Sequence, residues 1–359
     1  MIYIVFFLIS CFLIWLSEKS SSRYIGKLLA FIAILLPCIL AGMRADTIGT
    51  DLRVYVEPMY NAAKQSTSFS SYMDQRWYVI WRYMYVNKFE IGFTTLVYLI
   101  EKLGGSLGTV LFFIQALILA PIYLGLKRMK KSYPVYLGML VFYLLFYNTS
   151  LNMMRQWIAM SILFYGLSYL ITNEKKKYFI TIVVACLFHT SALMGVVIYF
   201  LYMYSQKQRE YIKIANFKLS GSLAPVKVFI YGCIVLLSLN VIAVLLRTFG
   251  LAKYAGYIQG NGSIYLMPNQ IILRLPIIIL LIIRWRRILT EDELTPFYGS
   301  MLVLDLLASQ LISINVYAFR IASFFSEYNM LSYSALVYAG NRKYRTNRYV
   351  TLLYVLAYM

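Results

Sequence analysis

The chain has 359 residues, of which 61% are apolar and only 13% are charged, and its mean hydropathy is +0.68. Soluble domains of this length do not reach such values, so the composition excludes a soluble enzyme and predicts a protein with many membrane-spanning segments. Lysine and arginine outnumber aspartate and glutamate by 34 to 14. Because the basic residues lie in short clusters between apolar runs, they indicate cytoplasmic loops and no nucleic-acid partner.

The first two apolar runs set the predicted orientation. Residues 2–16 have no basic residue before them and are followed by Lys19, Arg23 and Lys27, so the positive-inside rule places the N-terminus outside. Residues 28–43 then return the chain to the outer face.

A long external segment is predicted next. The following basic cluster begins at Lys127, after an apolar run over residues 107–126. If both basic clusters are cytoplasmic, only one crossing fits between residue 43 and this cluster, so residues 44–106 are predicted to be external. Within them, the aromatic stretch 72–85 and the short apolar piece 91–103 are expected to form interfacial helices.

The segment 178–204 has two interpretations. Residues 134–150 and 157–171 are predicted to cross outward and inward, before a second basic cluster at Lys175 to Lys177. The segment 178–204 is then long for one crossing and too short for two full ones. A single crossing would put all later basic clusters outside. We favour a hairpin of two short helices, whose tip at Phe188–Ser191 carries His189 towards the outer face.

The remaining apolar runs alternate simply. They are residues 227–247, 270–286, 297–314, 321–339 and a short final helix at 349–359, with an external loop at 250–269. The sequence therefore predicts an all-α polytopic membrane protein with about ten crossings, in a single transmembrane domain over residues 1–359. The four cysteines lie within apolar runs and form no C-x-x-C pair, so they predict neither disulfides nor a metal site.

This topology collects unusual polar residues on the outer face. They fall into five groups: Arg44 with Asp46, Asp51 and Tyr55; Arg155 with Gln156; His189, the only histidine; Arg274; and Arg320. Each has a simpler explanation, since arginines at helix ends reach lipid headgroups, aspartates cap turns and a histidine can pack against a carbonyl. Arg155 stands out because Asn152 and Gln156 accompany it and no acidic residue is adjacent. Asp305 and Glu327 lie in later spans, where they pair with internal arginines or act in chemistry.

Several outward-facing arginines, with no phosphate-binding glycine loop and no metal-ligand spacing, suit a phosphorylated ligand delivered through the membrane. Guanidinium groups bind phosphate oxygens in pairs and keep their charge. The external segment also holds six acids that could orient hydroxyl groups: Asp46, Asp51, Glu57, Asp74, Glu90 and Glu101. A sugar on a lipid pyrophosphate fits both features.

Four motifs in order make the chain resemble the EpsG family of bacterial polysaccharide polymerases, relatives of the O-antigen polymerases. They are Arg44 to Asp51 with Tyr55, Glu90-Ile-Gly-Phe93, Asn152 to Ala159, and Phe188 to Leu193. Ile91 departs from the proline that is common in the family. The resemblance implies an enzyme on the outer face of the plasma membrane that joins repeat units carried on undecaprenyl pyrophosphate.

The chemistry that fits is a metal-independent glycosyl transfer without a cofactor. His189 is the preferred base and Asp51 the alternative, while Arg155 would stabilise charge on the departing pyrophosphate. Substrate-binding residues are predicted to be Arg44, Asp46, Tyr55, Glu90, Gln156, Arg274 and Arg320. Expected partners are the lipid-linked oligosaccharide, the bilayer, and the chain-length regulator and flippase of the same pathway.

Two other functions remain open from the residues alone. A flippase or transporter of the same lipid-linked oligosaccharide would also line a cavity with arginines, but it should show two similar halves, and no duplicated pattern is present. An O-antigen-ligase-like transferase or an acyltransferase could use a lone histidine, although no His-x-x-x-x-Asp motif follows His189.

Overall fold

The computed structural model describes residues 2–129, 133–207, 212–214, 217–219, 222–250, 265–314, 319–338, 352–354 and 356. Most of the predicted external loop 250–269 and of the final helix 349–359 lies outside these residues. Cα packing divides the chain into two compact units, Met1–Lys130 with Pro134–Val197, and Lys131–Tyr133 with Ile198–Met359. The single domain over residues 1–359 stays a prediction.

The first unit is built mainly from helices. Its α-helices are α1 Ile2–Lys19, α2 Arg23–Gly42, α3 Glu57–Gln65, α4 Phe69–Met73, α5 Ile91–Lys102, α6 Leu107–Met129, α7 Val135–Val141, α8 Tyr147–Ser150, α9 Met154–Ile171 and α10 Lys175–Cys186. Helix α11, Met194–Lys207, continues into the second unit. π-Helical turns at Leu52–Val56 and Phe142–Phe146 lead into α3 and join α7 to α8, and 3-10 turns lie at Val86–Lys88 and Thr190–Leu193.

The second unit has the same character. Its helices are α12 Ala224–Thr248, α13 Pro268–Glu291, α14 Thr295–Ser309 with the 3-10 turn Gln310–Ser313, α15 Phe319–Ser326 and α16 Asn329–Tyr338. Helix α14 is largely buried and carries Asp305 on its buried side. Two short strands, Ile212–Ile214 (β3) and Phe217–Leu219 (β4), pair antiparallel before α12.

Five of the described helical segments are long and apolar enough to cross a membrane. They are α1, α2, α6, Pro268–Trp285 of α13 and Thr295–Ser313. Val135–Ser150 and Ala224–Leu239 are shorter apolar helices. The chain is therefore a helical membrane protein with very little sheet, as predicted, whereas the number of ten crossings stays a prediction.

In the first unit, two contacts join helix ends that lie near basic residues. The Glu18 carboxylate at the end of α1 accepts from the Val135 N–H at the start of α7, at 3.2 Å. Arg128 at the end of α6 pairs with Glu174 at the start of α10, at 2.8 Å. The basic residues at the end of α1, at the end of α6 and at the start of α10 therefore lie at one end of this unit. That they face the cytoplasm stays a prediction.

Close helix packing holds the opposite end together. A Cβ on Gly42, the last residue of α2, would lie 2.8 Å from the Gly108 carbonyl oxygen at the start of α6. Small residues at such a crossing let two backbones approach, which favours helix association inside a bilayer. Helix α9 is buried on most sides, and its apolar residues around the full circumference explain that position.

The segment 178–204 does not form one helix. Helix α10 ends at Cys186, and Leu187 to His189 separate it from the 3-10 turn before α11. The Tyr178 O–H at the start of α10 donates to the Gly195 carbonyl of α11 at 2.7 Å, so the chain folds back on itself. The chain therefore turns back after α10, whereas the hairpin of two short helices, and the side of the membrane that its ends face, stay predictions.

Helices do not account for the whole external segment. Residues 76–85 form a two-stranded hairpin of Arg76–Val79 (β1) and Arg82–Tyr85 (β2), so the expectation of interfacial helices is wrong there. Aromatic residues, which are frequent in this stretch, favour a strand. Ile80 and Trp81 occupy the turn with φ of 48° and 61°, the backbone of a two-residue hairpin turn that normally selects glycine or asparagine.

Candidate functional site

The loop after α2 lies on the loop before α9. The Thr50 hydroxyl donates to the Asn152 side-chain oxygen at 2.8 Å, and the Asp51 N–H donates to the same oxygen at 3.3 Å. Gly49 has a φ of 95°, and a Cβ there would lie 2.7 Å from the Leu151 carbonyl oxygen. The first and third sequence motifs are therefore joined directly, and the glycine permits that contact.

Asp51 is held by the tyrosine of its own motif. The Tyr55 O–H donates to Asp51 Oδ2 at 2.6 Å. Tyr55 is buried, and burial together with the Asp51 charge raises the pKa of its hydroxyl, so it stays protonated as a donor. This bond occupies one oxygen of the carboxylate that was the alternative candidate base.

Arg155 lies between two aromatic rings. Its guanidinium carbon is 4.8 Å from the centre of the Tyr55 ring and 4.6 Å from that of Phe89. Its Nη1 donates to Glu90 Oε2. Stacking and pairing together fix the orientation of the guanidinium plane, which a lysine could not reproduce.

Glu90 connects Arg155 to His189. Its Oε1 accepts from the Thr190 N–H at 3.1 Å and lies 3.2 Å from His189 Nδ1. Burial raises the pKa of the Glu90 carboxyl, but the neighbouring imidazole and the Arg155 charge outweigh burial and lower this pKa from 4.5 to about 2. Glu90 is therefore an anion at any physiological pH. We call Glu90, Arg155, His189, Tyr55 and Phe89 the Glu90 cluster.

The backbone around Glu90 brings the external segment to the tip of the 178–204 hairpin. The Gly92 N–H donates to the Leu187 carbonyl at 2.8 Å, and a Cβ on Gly92 would lie 2.7 Å from the same oxygen. Phe93 is buried, with its ring centre 5.8 Å from that of Tyr55. The Glu90-Ile-Gly-Phe93 motif thus supplies a charge, a close backbone contact and a packing ring.

Arg44 approaches the cluster as a second cation. Its Nη2 lies 3.6 Å from the Met154 sulfur, and burial lowers the pKa of the guanidinium. Among the described residues, no carboxylate lies within ion-pair distance of it. Arg44 therefore has donors available for an anionic ligand.

Unlike Arg44, three other residues predicted to bind substrate have polar groups that already contact the protein: Asp46, Gln156 and Tyr55. Asp46 forms an exposed pair with Arg53 at 3.7 Å, an arrangement that contributes little to stability. The Gln156 amide is buried and lies 3.6 Å from the Met160 sulfur, and Tyr55 is only 3% exposed. Gln156 and Tyr55 are therefore buried, and their assignment to substrate binding stays a prediction.

Arg274 and Arg320 belong to the second unit. Arg274 binds Asp305 through two bonds, Nε to Oδ2 at 2.8 Å and Nη2 to Oδ1 at 3.0 Å, and also contacts Gln270. This is the pairing with an internal arginine that was one of the two interpretations of Asp305. Arg320 lies in the first turn of α15. Membership of either arginine in the Glu90 cluster's site stays a prediction.

A pocket of about 280 Å³ opens beside Arg155. Its lining residues come from β2 and the turn that follows, together with the arginine: Arg82, Tyr83, Met84, Tyr85, Lys88, Phe89 and Arg155. None of the hairpin residues was expected to be functional. The aromatic stretch was the signal in the sequence, but its folding as a hairpin was not recognised.

The contact between Glu90 and Arg155 was not predicted. No acidic residue is adjacent to Arg155 in the sequence, whereas the fold pairs the two side chains. That Glu90 binds substrate stays a prediction. Within the described part of the chain, no group of three or more His, Cys, Asp or Glu residues is arranged for a metal ion. Metal independence itself stays a prediction.

Comparison with known proteins gives one match. The model of the EpsG family matches residues 27–359, nearly the whole chain. No curated protein and no solved structure matches it significantly. The family match extends well past the last of the four motifs and includes the whole of the second unit.

Proposed function

Because the chain belongs to the EpsG family, a family of polysaccharide polymerases, we propose that it joins oligosaccharide repeat units carried on undecaprenyl pyrophosphate. The reaction would be glycosyl transfer on the outer face of the bacterial plasma membrane. The observation that carries this proposal is the Glu90 cluster, where one ionised carboxylate lies against both the only histidine and a stacked arginine.

The proposed base is His189. A carboxylate beside Nδ1 favours the tautomer with its proton on that nitrogen and leaves the lone pair on Nε2. Nε2 would take the proton of the acceptor hydroxyl as its oxygen attacks the anomeric carbon of the donor sugar. The bond from that carbon to the pyrophosphate oxygen breaks, and the lipid pyrophosphate leaves with the electron pair.

The departing pyrophosphate gains negative charge, which cations nearby would stabilise. Arg44 is the strongest candidate because no carboxylate among the described residues neutralises it. Arg155 would contribute through those donors that Glu90 does not use. Arg274 is a weaker candidate, since its guanidinium already makes two bonds to the Asp305 carboxylate.

The test is the glycan that accumulates in cells lacking this protein. We expect single repeat units on the lipid carrier at the outer leaflet. Material trapped on the inner leaflet would indicate a flippase, and finished polymer that stays unattached to its acceptor would indicate a ligase. Purified protein given lipid-linked repeat units should form polymer and keep most of that activity in EDTA, and complete loss restored by one divalent ion would contradict metal-independent transfer.

A chain-length regulator and a flippase of the same pathway are the proposed protein partners. Polymerisation consumes units that must first be transferred across the membrane, and its product has a length that must be limited. Co-purification of either protein with this chain from its native membrane is the measurement that addresses this proposal.

A further inference from the structure

The pocket beside Arg155 differs in charge from the Glu90 cluster. Arg82 and Lys88 line it and are exposed, and no carboxylate among the described residues lies within ion-pair distance of either. Arg155, the third cation, is already compensated by Glu90. The pocket therefore holds about two uncompensated positive charges, which favour an anionic ligand.

Its aromatic residues add a second requirement. Tyr83 is 57% exposed, and Tyr85 and Phe89 complete the lining. The Arg76 guanidinium lies over the Tyr83 ring, 4.9 Å from its centre, and Tyr78 meets that ring edge-on at 5.2 Å, so the tyrosine is held in place. Aromatic faces with polar edges suit a ligand that has an apolar face and hydroxyl groups, such as a sugar ring.

The hairpin turn keeps these side chains in register. Ile80 and Trp81 adopt the left-handed backbone conformation, which is strained for residues other than glycine. The turn sets the pairing of Tyr78 with Tyr83 and of Arg76 with Tyr85. A strained turn that fixes an aromatic and basic strand next to Arg155 is consistent with a binding role for that strand.

The size of the pocket limits the ligand. About 280 Å³ lies just below the usual range of about 300–1,000 Å³ for small-molecule sites, so it accepts a single charged ring and not a whole repeat unit. We propose that this pocket binds one sugar residue that carries an acidic group, either a carboxylate or a phosphate, within the lipid-linked oligosaccharide. The proposal rests on the proposed function because it identifies the ligand as part of that substrate.

The experiment measures binding without turnover. Purified protein in detergent is titrated with glucuronic acid, glucose 1-phosphate, glucose and inorganic phosphate, and dissociation constants are obtained from saturation-transfer NMR. We expect at least one charged sugar to bind at least tenfold more tightly than both glucose and inorganic phosphate. The charged sugar that binds more tightly identifies the acidic group. Tighter binding of glucuronic acid indicates a carboxylate, which belongs to the oligosaccharide. Tighter binding of glucose 1-phosphate indicates a phosphate, which also occurs at the lipid carrier.

Matched variants test the location. Arg82→Gln and Lys88→Gln should each weaken binding of the charged sugar at least threefold. Lys64→Gln on α3 and Arg23→Gln at the start of α2 remove exposed charges elsewhere and should leave binding unchanged. Equal binding of glucose, or equal binding of inorganic phosphate, would overturn the proposal. Unchanged affinity of both Arg82→Gln and Lys88→Gln for the charged sugar would also overturn it, when both variants elute and unfold as the wild type does.

The experiments distinguish failure of the pocket proposal from failure of the proposed function. If wild-type protein forms polymer but binds no charged sugar, only the pocket assignment is wrong. If it binds the charged sugar in the pocket but forms no polymer from lipid-linked units, the polymerase proposal is wrong and the pocket assignment stands as a sugar site of another activity.

Discussion

Glu90 Oε1 lies 3.2 Å from His189 Nδ1, although helices α5 to α10 separate the two residues along the chain. The same carboxylate binds Arg155 through its other oxygen. A single anion thus orients two of the side chains that the proposed reaction uses, His189 as the base and Arg155 as a cation.

His189→Ala should reduce polymer formation at least tenfold, about 1.4 kcal/mol of barrier, because it removes the acceptor of the hydroxyl proton. Glu90→Gln should also reduce the rate, since it leaves Nδ1 without its anionic neighbour. The measurement is polymer length and yield from purified protein, with Lys64→Gln as the control. A normal rate in His189→Ala would make that residue a packing residue and Asp51 the next candidate base.

Arg155→Lys keeps the charge but loses the planar group that lies between Tyr55 and Phe89. We expect at least a tenfold loss of polymer, again about 1.4 kcal/mol, with normal amounts of protein in the membrane. Arg23→Lys, at an exposed position at the start of α2, should have wild-type activity. Equal rates in the two variants would mean that charge alone is sufficient at position 155.

Gly49→Ala should destabilise the protein more than Gly104→Ala. Both glycines have positive φ, but a Cβ on Gly49 meets the Leu151 carbonyl oxygen at 2.7 Å, whereas nothing lies within 4 Å of a Cβ on Gly104. The difference isolates the steric contact and should be roughly 1–3 kcal/mol. Thermal unfolding in detergent measures it, and equal stabilities would show that the loop shifts without cost.

The contribution of Glu90 to stability should depend on pH in one direction. Its folded-state pKa of about 2 lies below the ordinary 4.5, so the stabilisation is present above pH 4.5 and is lost as the pH falls through 2. At neutral pH, Glu90→Gln should cost at most about 3 kcal/mol from this shift. The gap in unfolding temperature between wild type and variant should be constant above roughly pH 5 and narrow below it. A gap that widens with acid would contradict the pairing.

The orientation of the 178–204 hairpin is open to direct labelling. In a cysteine-free background, Thr190→Cys should react with a membrane-impermeant thiol reagent added outside, whereas Lys176→Cys and Lys207→Cys should not. All three side chains are exposed on the protein itself, so differences in labelling report the membrane side. Labelling of Lys207→Cys from outside would reverse the predicted orientation of every later segment.

Much of this architecture was predictable from the sequence because hydropathy and basic residues are local signals. Apolar runs gave the positions of α1, α2, α6 and α14, and lysine clusters gave the helix ends that share one end of the first unit. The four motifs gave the family, which the match over residues 27–359 confirms. The break near His189 was one of two interpretations of 178–204, favoured because that segment is long for one crossing and because a single crossing would put all later basic clusters outside.

Only the tertiary structure decided which charges meet. Glu90 pairs with Arg155 and lies against His189, and Asp305 pairs with Arg274, because helix packing brings together side chains that no sequence spacing relates. The hairpin at 76–85 likewise depends on a cross-strand register and on a turn with positive φ at Ile80 and Trp81, residues that rarely adopt it. The sequence determined which segments are apolar enough to cross a membrane, because that depends on composition along the chain, whereas the site depends on distances between residues far apart in it.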